Sequence, residues 1–170
     1  WTNLGMAPNE DTIKRYLRPP STAATLNLAA NAAQAARIWK TFDAAFSAKC
    51  LTAAEKAWEA AKANPAVYAP ATDNTGGGPY DDIDVSDEFY WAAAELFITT
   101  GKDDYQKALQ KSKHFMNVPQ VGGGAAGGAL SAMTWQMTQT LGAISLAVVP
   151  SKLDKDVSIA MRSSIVSAAD

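Results

Sequence analysis

Cysteine is nearly absent from this sequence. Cys50 stands alone, so no disulfide can form within the chain and no cysteine-rich zinc site can assemble. It falls in an apolar helical pattern and reads as a small buried hydrophobe. Histidine is equally scarce. The single one, His114, lies in a polar stretch between Lys113 and Phe115, which predicts solvent exposure and supplies no ligand set. No Ser-His-Asp arrangement can be argued from it. An excess of one charge is also missing: the net charge is -2, which leaves no electrostatic footprint for nucleic acid or an anionic membrane. No apolar run approaches the ~18 residues of a membrane span, and no signal-peptide pattern is present. The glycine-rich run GGGAAGG lacks the Lys-Ser/Thr of a phosphate-binding loop and follows no strand. It reads as a loop.

Helices fill most of what remains. Residues 1–19 are an irregular entry punctuated by Pro8 and Pro19. PSTAATLNLAANAAQAARIWKTF then reads as an alanine-rich helix entered at Pro20 and Ser21. Asp43 suits the cap of a second helix, which ends at Asn64-Pro65. Two helices joined by so little chain make an antiparallel hairpin. After a long Pro- and Gly-containing loop, Ser86 suits the cap of SDEFYWAAAELFITT, and Gly101 suits its C-terminal stop. Asp103 or Asp104 can cap the helix that follows. A third pair begins with LSAMTWQMTQTLGAISLAVV, apolar on most sides, and closes with DKDVSIAMRSSIVSAAD. The predicted hairpins cover about 20–64, 86–116 and 129–170. No stretch makes a convincing strand. The fold class is all-α. In each pair an alanine-rich or apolar helix precedes a more polar one, as inner and outer helices of a layered ring would. Three hairpins are half of a six-hairpin (α/α)6 barrel. The chain opens at Trp1 and closes at Asp170 inside a helical pattern, so it reads as a piece of a longer chain.

The densest chemistry lies in GGGPYDDIDVSDEFYW. Five carboxylates, Asp81, Asp82, Asp84, Asp87 and Glu88, occupy eight positions. Three readings compete. Neighbouring carboxylates can be pushed to different pKa values for acid–base work. Hard oxygens can hold Ca2+, although the spacing is not that of an EF-hand. Acidic residues in a first helical turn also simply complement the macrodipole, by about 0.3–1 kcal/mol each. Trp39, Trp58 and Trp91 sit at helical spacing and read as packing residues.

PPSTAATLNLAANAAQAARIW, FSAKCLTAAEKAWEAAKANP and GGGPYDDIDVSDEFYWAAAELFITTG together resemble the catalytic domain of glycoside hydrolase family 9, in the same order over roughly residues 18–150. The resemblance implies the (α/α)6 barrel and an inverting hydrolysis of β-1,4-glucan by an endoglucanase or cellobiohydrolase. It implies a secreted protein, in one branch a cellulosomal one. It also shows what this stretch lacks. Neither the aspartate pair of the DAGD type nor the late NE motif is here, so no catalytic acid or base is assigned. The segment is expected to be inactive alone and to need the remaining segments of the same domain.

The resemblance places a calcium site at Asp87 and Glu88, with loop carbonyls at Ile83 and Asp84. The position after Trp135 completes it, where Gln136 stands in place of the family's aspartate and removes one negative charge. It places Tyr80 in the cleft wall, and Trp135 is the second candidate for contact with the glucan. A rival reading is a non-catalytic helical module that binds carbohydrate or serves as a scaffold. An epimerase or lyase on the same barrel is a third, and the YDDIDVSDEFYWAAAEL block argues against it.

Overall fold

A computed structural model describes residues 5–7, 9–12, 14, 17–72, 80–119 and 133–169. Six helices follow one another: α1 (Thr22–Trp39), α2 (Ala44–Ala63), α3 (Ser86–Thr100), α4 (Asp103–Lys111), α5 (Gln139–Val148) and α6 (Lys155–Ala169). β-structure among the described residues is limited to an isolated bridge between Thr134 and Met137. No described helix is long and apolar enough to cross a membrane. The expected all-α class and the three hairpins are present. The expectations for Pro8, the GGGAAGG run and Trp1 lie outside the described residues.

The first hairpin forms where its caps predict. Ser21 is extended and its hydroxyl accepts the Ala24 N–H at 3.3 Å. Asp43 caps α2 by accepting the Phe46 N–H at 2.9 Å. Alanine then lets the two helices approach closely. Ala29, Ala30 and Ala33 of α1 are buried with Ala54, Ala57 and Ala61 of α2. The Ser47 hydroxyl donates to the Ala36 carbonyl at 2.6 Å and ties the turn shut. Cys50 is buried and free, as expected.

Helices α1, α3 and α5 lie side by side, and each hairpin's second helix packs outside. The three inner helices run parallel. Thr99, late in α3, donates to the carbonyl of Ala33, late in α1. Asp87, early in α3, receives Thr138, just before α5. Helix α3 sits between its two neighbours and buries residues on nearly every side, from Asp87 to Phe97. Gly142 permits the closest approach. A Cβ there would stand 3.1 Å from the Trp91 Cα and 3.3 Å from the Ala94 Cβ. Backbone on the far side cannot swing away, so Gly142→Val is expected to cost about 1–3 kcal/mol of stability, read as a lowered melting temperature.

Four details depart from the sequence-based expectations. Ser86 does not cap α3, because it is the helix's first residue. Val85 holds the N-cap position, without a side-chain cap bond; ahead of it Asp84 accepts the Ser86 N–H at 3.0 Å, while Asp82 accepts the Asp84 N–H at 2.9 Å. These are successive Asx turns, the local bonding that aspartate favours outside helices. Asp103 and Asp104 sit in the first turn of α4 and cap nothing. Helix α4 stops at Lys111 instead of continuing to 116, since the Ser112 hydroxyl accepts the His114 N–H at 3.2 Å and the backbone at Ser112 turns extended. Helix α5 begins only at Gln139, because a tight turn occupies 134–137.

Candidate functional site

The N-terminus of α3 meets two loops at one end of the inner layer. The first is the acidic stretch from Tyr80 to Val85, and the second is the turn leading into α5. Tyr80 and Trp135 touch edge to face across them, with ring centroids 5.4 Å apart and planes at 76°. Each ring remains about half exposed. Tyr80 holds this place with φ at +47°, a left-handed conformation that costs a non-glycine residue about 1 kcal/mol or more. Beside the rings the Gln136 amide donates to the Asp81 carbonyl at 3.1 Å. The two loops are thus tied by one aromatic contact and one hydrogen bond. Sugar rings present a C–H face that packs on such aromatic surfaces.

Beneath the loops lie the buried carboxylates. Asp87 is 4% exposed, and its Oδ2 accepts the Thr138 N–H at 2.6 Å and the Thr138 hydroxyl at 3.1 Å. Glu88 is 1% exposed, and its Oε2 meets no hydrogen-bond donor among the described residues. Burial first, then the Asp87 charge beside it, pushes the Glu88 carboxyl up to about 8. Glu88 is thus the carboxyl that favours its protonated form toward neutral pH. Asp82, one of the five carboxylates of the stretch, is a third member that the family resemblance does not place. Its Oδ2 is also buried without a donor, and burial raises its pKa. Sequence reasoning missed Thr138, because nothing in its local sequence announces a contact 51 residues away.

Another acidic residue of the stretch, Asp84, faces outward. Asp84 accepts from Lys113 at 2.7 Å, and that bond with those from Ser86 pulls its pKa down to about 2. The side chain of Ile83 is 81% exposed. Among the described residues, no three Asp, Glu, His or Cys side chains are grouped tightly enough to hold a metal by themselves. The donor chemistry nevertheless suits a hard cation. Two buried carboxylate oxygens, on Glu88 and Asp82, stand without partners next to a third carboxylate.

His114 corrects an expectation. It is partly buried, not solvent-exposed, and its Nε2 lies 2.9 Å from the Ser86 hydroxyl with its ring against Tyr90. The early end of α4 freed it to fold back onto α3. Burial lowers its pKa.

The family model described as Glycosyl hydrolase family 9 matches residues 1–167. The chain belongs to that family. Among curated proteins, this family 9 chain is 51% identical to a cellulose 1,4-beta-cellobiosidase from Acetivibrio thermocellus, over 100% of the chain and 20% of that protein. It is 43% identical to Endoglucanase C from Cellulomonas fimi, over 90% of the chain and 13% of that protein. It therefore spans about a fifth or less of the length of these relatives. Among solved structures, a metagenome-derived glycoside hydrolase family 9 endoglucanase superposes with a TM-score of 0.74 at 34% identity, covering 95% of this chain and 28% of that one. The family 9 endoglucanase J30 gives 0.76 at 27% identity, with the same coverage. The six helices are thus one part of the family's (α/α)6 barrel.

Within the family 9 frame the tryptophans divide. Trp58 is buried, and Trp91 packs within the inner layer and donates to Glu95 at 3.3 Å. Trp39 instead is 45% exposed at the α1–α2 turn, stacked edge-on with Phe42 and Phe46.

Proposed function

We propose that this chain is part of the catalytic domain of an inverting β-1,4-glucan hydrolase, and that its loop end forms cleft wall. The exposed Tyr80–Trp135 pair carries this reading, together with relatives named as cellobiosidase and endoglucanase. The two rings come from loops 55 positions apart and meet at the surface with faces open. Hydrolysis with inversion needs two carboxyl groups about 6.5–9.5 Å apart, with a water between them. Asp87 and Glu88 are neighbours in the chain and both are buried. They cannot admit that water. With neither the DAGD-type pair nor the NE motif in this stretch, we infer that the acid and base belong to other segments of the domain and that this chain is inactive alone. By the same reading the protein acts outside the cell, where cellulose is.

Asp87 and Glu88 would hold a calcium ion, with Asp82, the loop carbonyls at Ile83 and Asp84, and Gln136 as further oxygen donors. Bound calcium would supply charge neutralisation and a loop anchor, with no part in the hydrolysis. Asp87 already fixes the turn before α5 through Thr138, which positions Trp135 opposite Tyr80.

Tyr80→Ala and Trp135→Ala in the complete polypeptide test the proposal. Loss of one stacking face is worth about 0.5–1.5 kcal/mol, so KM for a soluble β-1,4-glucan should rise about two- to tenfold with kcat little changed. Unchanged KM in both variants would remove the pair from the cleft. A polypeptide that binds the glucan without cleaving it would instead support a non-catalytic binding module.

A further inference from the structure

The outer helices α2 and α4 meet where Trp58 packs on Tyr105, with ring centroids 5.7 Å apart, and where Lys102 pairs with Glu55, but they diverge beyond that contact. Between them the outward side of α3 is left as the floor of a cleft of about 700 Å³. That volume lies within the ~300–1,000 Å³ of small-molecule sites. Among the described residues its lining comes from α2, α3, α4 and the residues just after α4. Trp58 and Phe89 make the apolar base. Four ammonium groups, on Lys62, Lys107, Lys111 and Lys113, stand around it, against one lining carboxylate, Asp104.

These cations are weakly committed. Lys107 is 3.9 Å from Asp104, with both side chains mostly exposed. Lys62 and Lys113 pair with Glu59 and Asp84 at 2.9 and 2.7 Å, again in solvent. Lys111 has no carboxylate within ion-pair distance among the described residues. Exposed pairs of this kind are marginal and exchange readily. A neutral glucan does not suit the cleft. Trp58 is 7% exposed, and its ring meets Phe89 and Tyr105 edge-on at 80° and 81°, so no flat aromatic face is open to a sugar.

We propose that the α2–α4 cleft binds a small amphipathic anion, one whose apolar body lies against the exposed part of Phe89 and Ala108 while a carboxylate head meets the lysines. The site lies apart from the Tyr80–Trp135 pair and does not depend on the hydrolase reading.

The probe is 2-naphthoate, titrated by calorimetry into the complete polypeptide beside neutral 2-naphthamide. Saturable one-to-one binding of naphthoate is expected, with naphthamide distinctly weaker. The double variant K107Q/K111Q alters only exposed side chains. It should weaken naphthoate binding about five- to tenfold while glucan hydrolysis and the melting temperature stay unchanged. Ala108→Trp fills the cleft from α4 and should abolish binding. Equal affinity for naphthoate and naphthamide would overturn the proposal, as would naphthoate binding that ignores both variants. Failure of naphthoate to saturate also overturns it. If an acidic peptide with one phenylalanine then binds in a way that K107Q/K111Q weakens, the cleft is a peptide-docking groove instead.

Discussion

Without divalent cations, the folded domain should lose stability as pH climbs from 5 toward 8, and Glu88→Gln should abolish much of that loss. The sign follows from proton counting. Folded Glu88 holds its proton until about pH 8, whereas the ordinary value is 4.5. Between those values the folded state binds a proton that the unfolded chain has released. Unfolding therefore releases a proton and is favoured by rising pH. Each unit of the interval is worth about 1.4 kcal/mol, so on the order of 5 kcal/mol is lost across the window. The contribution is fully present below 4.5 and gone above about 8. Glutamine keeps the shape and donates as the protonated acid does, so the variant should be relatively more stable at pH 8. Melting temperatures at pH 5, 6, 7 and 8, in chelator and in millimolar calcium, give the answer. Calcium should flatten the wild-type profile and leave that of Glu88→Gln nearly unchanged. A flat wild-type profile in chelator would show that Glu88 is ionised without metal, contrary to its burial.

Arg37→Ala should produce the other large loss. Glu95 is 1% exposed in the middle of α3, and its carboxylate gathers donors from three helices. Arg37 of α1 forms an ion pair with it, Ser145 of α5 donates at 2.6 Å, and Trp91 donates from the preceding turn. Arg37 also reaches Thr99 at 3.2 Å. Removing the guanidinium leaves the buried carboxylate with neutral donors only. Breaking one partner of such a pair costs about 3–5 kcal/mol, because the remaining charge stays out of water. Arg37→Ala combined with Glu95→Gln should recover part of the loss, since no charge is then stranded. If the double variant is as unstable as the sum of the singles, the pair is not coupled and the network assignment fails. Thermal and urea unfolding of the complete polypeptide measure this.

The legible parts of the fold were local. Ser21, Asp43 and Gly101 act within a few residues of themselves, and each was readable from its own neighbourhood. The misread parts depend on distant partners or on hydroxyls that compete with the helix. QKSKHFM continues a helical pattern, yet the Ser112 hydroxyl bonds forward and ends α4. TWQMT looks like helix, yet Thr138 is claimed by Asp87 and the chain turns first. His114 looked exposed because its neighbours are lysines, and only the folded chain places Ser86 beside it. At the site, resemblance to a family pointed to Asp87, Glu88, Tyr80 and Trp135. The structure brings Tyr80 to Trp135, and Asp87 to the turn that carries Trp135. Nothing local distinguishes Asp82 from Asp81 or Asp84. Its burial is a property of how the loop lies on α3.

The contacts at a hairpin's turn are short-range in sequence, while those between inner helices are not. Ser47 bonds Ala36 across 11 residues, whereas Arg37 reaches Thr99 across 62 and Ser145 reaches Glu95 across 50. Local pairs close fast and distant ones must first overcome loop-closure entropy. A chain emerging vectorially from the ribosome can therefore complete α1–α2 early, but its apolar inner side waits for α3. Glu95 arrives there as a charge needing Arg37, and α3 in turn waits for Ser145. The order of synthesis and the order in which buried charge is neutralised run in the same direction along this chain.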